Sequence, residues 1–268
     1  MRRSSWRRVS FVLALSALPA VAAAGPVDSA TWESIDKTLG RTGRVFPGDV
    51  HKYGWPRADL RVSAGGVQVA PTLALGSWAA LMKASPEGHL MAMGDLVLLA
   101  DEVGGHGEAP QVATALRSAL DTTKTPLATS TAAPPSPSPA ETAAFDKVQA
   151  VLGRKGSLAG RVLQIAVPRA GKIEEDGREV PASAGMATAL NFQVVESRVA
   201  TTGDFVLVAD EVNPVIRELE AHGIRVTALH SHMLRETPRL FFMHFWGVDD
   251  PARIAEGLKA ALGKVAVQ

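Results

Sequence analysis

The sequence predicts an α+β fold built from two tandem copies of one helix-backed, mainly antiparallel sheet module, the first copy incomplete. Three observations predict it. Gly94 to Val103 (GDLVLLADEV) returns as Gly203 to Val212 (GDFVLVADEV), differing only by swaps of one apolar residue for another. An apolar stripe at helical spacing, Trp32, Ile35 and Leu39 closed by Gly40, returns as Phe145, Val148, Leu152 and Gly153. Between the copies runs a Pro- and Ser-rich stretch with few large apolar residues, which cannot pack and reads as a linker. The expected boundaries are a leader over 1–24, a first module over 25–120, a linker over 121–142 and a second module over 143–268.

The leader has the three parts of an export signal. Arg2, Arg3, Arg7 and Arg8 make a positive start, Phe11 to Leu18 an apolar stretch, and Ala22-Ala23-Ala24 a small-residue cleavage site. Cleavage makes Gly25 the new N-terminus. The paired arginines invite a twin-arginine route, but the apolar stretch begins late for that pattern, which favours the general route. The expected location is periplasmic or secreted. There is no cysteine in the 268 residues, so no disulfide, no thiolate ligand and no lipid anchor on cysteine. Four of the 28 basic residues lie in the leader, against 27 acidic ones in all. The mature chain is therefore slightly acidic, which argues against a nucleic-acid surface. No later segment is apolar and long enough for a membrane span.

The first module opens with the Trp32 helix and carries a loop at His51, Tyr53 and Trp55. The repeat then breaks after Val103, where Gly104 to Gly107 with His106 forms a glycine-rich splice into a helix from Pro110 to Leu120. The second module retains about 33 residues that the first lacks, Asn213 to Phe245 by repeat alignment. In that segment Asn213 is expected to cap a helix with Pro214 at its first position and Gly223 at its end. Ile224 to His230 alternates as a strand, Ser231 to Pro238 turns, and Leu240 to Trp246 is a second strand, apolar on both faces and therefore central. With a strand starting at Gly203-Asp204 and a helix from Pro251 to Leu262, the order is β-α-β-β-α, a split βαβ arrangement.

The stretches GDFVLVADEVNPVIREL (203–219), VTALHSHML (226–234) and PRLFFMHFWGVDDP (238–251) resemble the LppY/LpqO family, also called DUF1259, of exported bacterial proteins. In the first copy the resemblance rests on GRVFPGDVHKYGWPRADL (43–60), ALGSWAAL (74–81) and MGDLVLLADEV (93–103). It implies tandem modules and export, and it implies no reaction. Some members carry a lipidated cysteine, which this chain lacks, and the first copy here lacks the histidine-bearing hairpin.

That hairpin holds the candidate chemistry. His230 and His232 stand two apart on a strand, so both side chains leave one face. His244 shares a face of the partner strand with Leu240, Phe242 and Trp246, and Glu236 lies on the turn. Three imidazoles and a carboxylate suit one divalent transition metal, Zn²⁺, Mn²⁺, Fe²⁺ or Ni²⁺. The plainer alternative is a set of structural histidines. Glu236 and Glu211 are candidate general bases, and Asp204 and Glu211 are candidate carboxylates for orienting an imidazole. Both of the latter recur in the first copy as Asp95 and Glu102, which favours a structural role. Arg235 and Arg239 flank the turn as possible anion hooks, and the repeated Pro-Arg pairs (56–57, 168–169) suggest buried ion pairs. Three readings follow: a secreted module binding a metal or small polar ligand, a metal-dependent enzyme, and an envelope interaction protein.

Overall fold

A computed structural model describes residues 27–85, 87–96, 101–123, 125–127 and 135–268, with backbone alone for 101–106. The leader assigned to 1–24 lies outside the described residues. The first module runs α1 (Ser29–Leu39), β1 (Arg44–Phe46), β2 (Val50–Pro56), β3 (Ser63–Ala64), β4 (Val67–Gln68), α2 (Pro71–Ala74), β5 (Gly76–Lys83), β6 (His89–Leu96), β7 (Asp101–Glu108) and α3 (Ala109–Thr122). The second runs α4 (Pro139–Leu152), β8 (Ser157–Ala159), β9 (Val162–Pro168), β10 (Glu174–Glu175), β11 (Arg178–Glu179), a 3₁₀ turn at Ala182–Ala184, β12 (Ala187–Val195), β13 (Arg198–Leu207), α5 (Ala209–Ala221), β14 (Arg225–His230), β15 (Glu236–Thr237), β16 (Phe241–Asp249) and α6 (Pro251–Leu262).

Each module is an antiparallel sheet with helices on one face. The sheets have the orders β1-β2-β5-β6-β7 and β14-β16-β13-β12-β9-β8. The repeated helix stripe behaves as its spacing dictates. Trp32, Ile35 and Leu39 of α1 are buried, as are Phe145, Val148 and Leu152 of α4. Gly40 and Gly153 end these helices in the left-handed region. Helix α4 starts inside the stretch assigned to the linker. Ser138 and Glu141 form a reciprocal capping box there and Pro139 takes the first turn.

The shortening of the first copy falls earlier than the repeat alignment places it. In the second module Gly203 faces Phe245 and Asp204 faces His244 across β13 and β16. In the first, Gly94 faces Val103 and Asp95 faces Glu102 across β6 and β7. Strand β7 thus stands where β16 stands, and α5, β14 and β15 have no counterpart. Gly104 to Gly107 is strand, not a splice loop. The same Asp-Glu-Val opens α5 in one copy and sits in β7 in the other. Without the hairpin, backbone groups along β6 would lack partners, and this segment supplies them. His51, Tyr53 and Trp55 are likewise in a strand, β2, with Tyr53 and Trp55 in the core.

Two further boundaries differ from expectation. Helix α5 begins at Ala209, so Asn213 is not its cap and Pro214 lies inside it. Glu211 sets the start by accepting the Val208 N–H at 2.9 Å, and acidic residues suit a first turn. Proline there removes one amide hydrogen bond without ending the helix. Gly203-Asp204 lies in mid-strand. A Cβ on Gly203 would collide with the Ala189 carbonyl, and one on Gly94 with the Trp78 carbonyl. The recurring glycine therefore reflects close strand packing, not a turn.

The Pro-Arg expectation holds in the second copy. Arg169 pairs with Glu211 and donates to the Val206 carbonyl at 2.9 Å. Burial alone would raise the Glu211 carboxyl. The hydrogen bond from Arg169, then those from the Ala266 and Val208 amides, hold it below the usual carboxylate value. Its contribution to stability is complete above the unfolded glutamate pKa and disappears as pH falls through the lower folded value. Glu211→Gln should cost about 3 kcal/mol in guanidinium titrations at pH 7. The difference from wild type should shrink steadily below about pH 4.3. In the first copy the matching arginine, Arg57, pairs with Asp59 instead.

The sheet faces opposite the helices meet each other. Val50, Ala80, Met82, Met91 and Met93 of the first module share one cluster with Val206, Leu240 and Phe242 of the second. Each module also lays an arm on the other's sheet. Ile173, Val180, Ala184 and Met186, from the segment around β10 and β11, join that same cluster. In return Val69, Leu73 and Leu75 pack with Val162 and Trp246. There Gln164 and Asn191 donate to the Thr72 and Leu73 carbonyls.

Candidate metal centre

Strand β16 is central, between β14 and β13, and its residues alternate between two environments. Met243 and Phe245 face the helices, while Phe242 faces the other module. By the two-residue period His244 shares the Phe242 face. Strand β14 pairs beside it, with His230 opposite Phe242 and Ala228 opposite His244. His232 follows just past the end of β14. Its ring stacks on Phe242 with centroids 3.4 Å apart.

The three imidazoles converge. The Nε2 atoms of His230 and His244 are 2.8 Å apart, and the His230 ring centroid lies 5.0 Å from that of His232. One ligand nitrogen from each residue lies within 4.8 Å of the others. A tetrahedral ion bonded at about 2.1 Å needs ligand atoms about 3.4 Å apart.

The electrostatics favour the neutral form of His232 and His244. Burial first, then the neighbouring His230 and His244, push His232 down to about 3. Burial and His230 lower His244, against the pull of Asp95 and a hydrogen bond to the Gly203 backbone. Neutral imidazole is the form that ligates a metal.

Carboxylates approach from both modules. Asp204, next to His244 across the sheet, has an oxygen 3.9 Å from His232 Nε2. Asp95 comes from the first module, where Trp78 Nε1 donates to its Oδ2 at 2.5 Å. Lys52 Nζ sits 4.4 Å from the Trp78 ring centre. Burial raises the Asp95 carboxyl, opposed by the Trp78 hydrogen bond and by electrostatic interaction with the nearby His244, His230 and Lys52. Burial lowers Lys52, opposed by Asp95.

The structure does not bring Glu236 to the histidines. The turn is not a simple hairpin loop, because β15 pairs with β10 and sets Glu236 opposite Glu175. Its buried carboxylate accepts from Arg239 at 3.1 Å and from the Leu240 N–H at 2.9 Å. Arg239 also donates to the Met233 and Leu234 carbonyls, so it is no anion hook. Arg235 lies near Asp176 at 3.5 Å. Glu211 is committed to Arg169 and orients no imidazole. Both candidate bases therefore hold the fold together. The residues that sequence reasoning missed are Asp95, Trp78 and Lys52, which it placed in structural roles or passed over. The recurrence of Gly-Asp at 94–95 and 203–204 was the available signal.

These features define a class: a tandem α+β protein with two sheets face to face and a histidine cluster where they meet. The family model described as Domain of Unknown Function (DUF1259) matches residues 33–105 and 146–264. The chain belongs to that family, and one matched region falls in each half of the chain. No curated protein and no solved structure matches the chain.

Proposed function

We propose that this is an exported binding protein of the LppY/LpqO type whose second module binds one divalent transition metal through His230, His232 and His244. The observation that carries the reading is the convergence of three ligand nitrogens within 4.8 Å. Three nitrogen donors with one open position favour Zn²⁺ or Ni²⁺ over Mn²⁺, which prefers oxygen. The open position suits a water or a small polar ligand. An enzymatic reading would draw its base from Asp95 or Asp204 rather than from Glu211 or Glu236, whose carboxylates are already engaged. Metal analysis of the purified mature protein tests the proposal, with one equivalent of metal expected.

Export is part of the same reading. It is supported by the charged, apolar and small-residue order of the first 24 residues, and among the described residues no helix is long and apolar enough to cross a membrane. Intact-mass measurement of protein recovered from the periplasm or medium should give a chain beginning at Gly25. A chain retaining Met1 would refute export by this leader.

A further inference from the structure

We infer that the metal centre straddles the two modules, with Asp95 of the shortened first module as its anionic partner across the interface. The inference rests on the metal reading above. It assigns a task to the copy that lacks the histidine hairpin.

The placement follows from strand alternation. Met91, Met93 and Asp95 occupy successive positions of one face of β6. Met91 and Met93 pack in the same cluster as Phe242, on which His232 is stacked. Asp95 therefore continues this row on the face of β6 that meets the Phe242 and His244 face of β16. His244 and His230 both lie near enough to the Asp95 carboxyl to interact with it electrostatically, as does Lys52. Asp95 in turn acts on His244. The carboxylate is held rather than loose. Trp78 donates to one of its oxygens at 2.5 Å, and the Trp78 ring itself lies against Gly185 of the second module.

The chemistry fits the place. Three neutral imidazoles leave a divalent ion with its full charge, and a carboxylate facing it from the other sheet offsets part of that charge in a partly buried site. Asp95 occupies the position in the first copy that Asp204 holds in the second. Two equivalent aspartates thus flank one centre, one from each sheet.

The experiment is Co²⁺ titration of the full mature chain, followed by calorimetry and by the visible spectrum of the bound ion. Asp95→Asn keeps the shape and an oxygen for the Trp78 N–H. It should weaken Co²⁺ binding by about 10- to 100-fold and alter the spectrum, with the metal-free melting temperature little changed. Asp95→Glu should recover most of the affinity. Trp78→Phe removes the donor but leaves the carboxylate, and it should cost less than Asp95→Asn. Wild-type affinity and an unchanged spectrum in a folded Asp95→Asn protein would overturn the inference while leaving the three-histidine reading intact. Failure of the wild-type chain to bind Co²⁺, Zn²⁺ or Ni²⁺ at all would overturn both.

Discussion

Replacing His230 and His232 together by alanine should abolish metal binding while leaving a folded protein. Wild type is expected to carry one equivalent of Zn²⁺ or Ni²⁺ and to melt at a higher temperature when free metal is added. At a hundredfold excess over the dissociation constant, the stabilisation amounts to about 2.7 kcal/mol. The double variant keeps His244 alone, and one imidazole does not hold an ion against water. Its loss should exceed the roughly 10- to 100-fold cost of removing an outer partner, and its melting temperature should not respond to metal. Glu236→Gln is the informative companion. Its carboxylate serves Arg239 and the Leu240 amide, so the substitution should lower stability and leave metal affinity unchanged. If the double variant binds as tightly as wild type, the ion sits elsewhere and the proposed site is wrong.

Phe242→Ala should produce the largest loss of stability, about 3–5 kcal/mol. The ring is fully buried, lies in the central strand, and packs in the cluster that contains residues of both modules. A loss of that size is a large share of the net stability of an ordinary domain. Because the cluster is common property, both modules should unfold in one transition. In a Trp246→Phe background, Trp32, Trp55 and Trp78 are the tryptophans left in the mature chain and report the first module, while far-ultraviolet circular dichroism reports the whole chain. Under guanidinium the two signals should move together to a lower midpoint. A variant in which tryptophan fluorescence keeps the wild-type midpoint would show that the modules are energetically separate.

What the sequence makes legible here is mostly local. The α1 and α4 stripes follow from helical spacing and a closing glycine, and both are found where that spacing puts them. The meeting of His230 with His244 follows from the two-residue period of strands and a single turn, whereas His232, expected on the same strand, lies past the end of β14. Long-range pairing accounts for the misplaced residues. Glu236 reads as a free turn carboxylate, but β15 pairs with β10, a partner far away in the chain. Asp-Glu-Val has the same local preferences in both copies, yet it is strand in one and helix in the other, because an unpaired edge claims it. Asp95 reads as structural in the sequence for a different reason. Which sheet faces which is a tertiary fact, and no period within one module encodes it.

The exchanged arms bear on how such a chain is made. As the polypeptide emerges, the first half can form its hairpins and helices early, but one broad face of its sheet stays greasy and bare. The segment that shields that face, Ile173 to Met186, is synthesised later. A half-made chain is therefore a sticky species needing protection by a chaperone, or transport while still unfolded. The same dependence ties the copies together in evolution. Trimming a hairpin from one was tolerable, because β7 filled its place beside β6. Deleting either whole copy would strip the cover from the survivor.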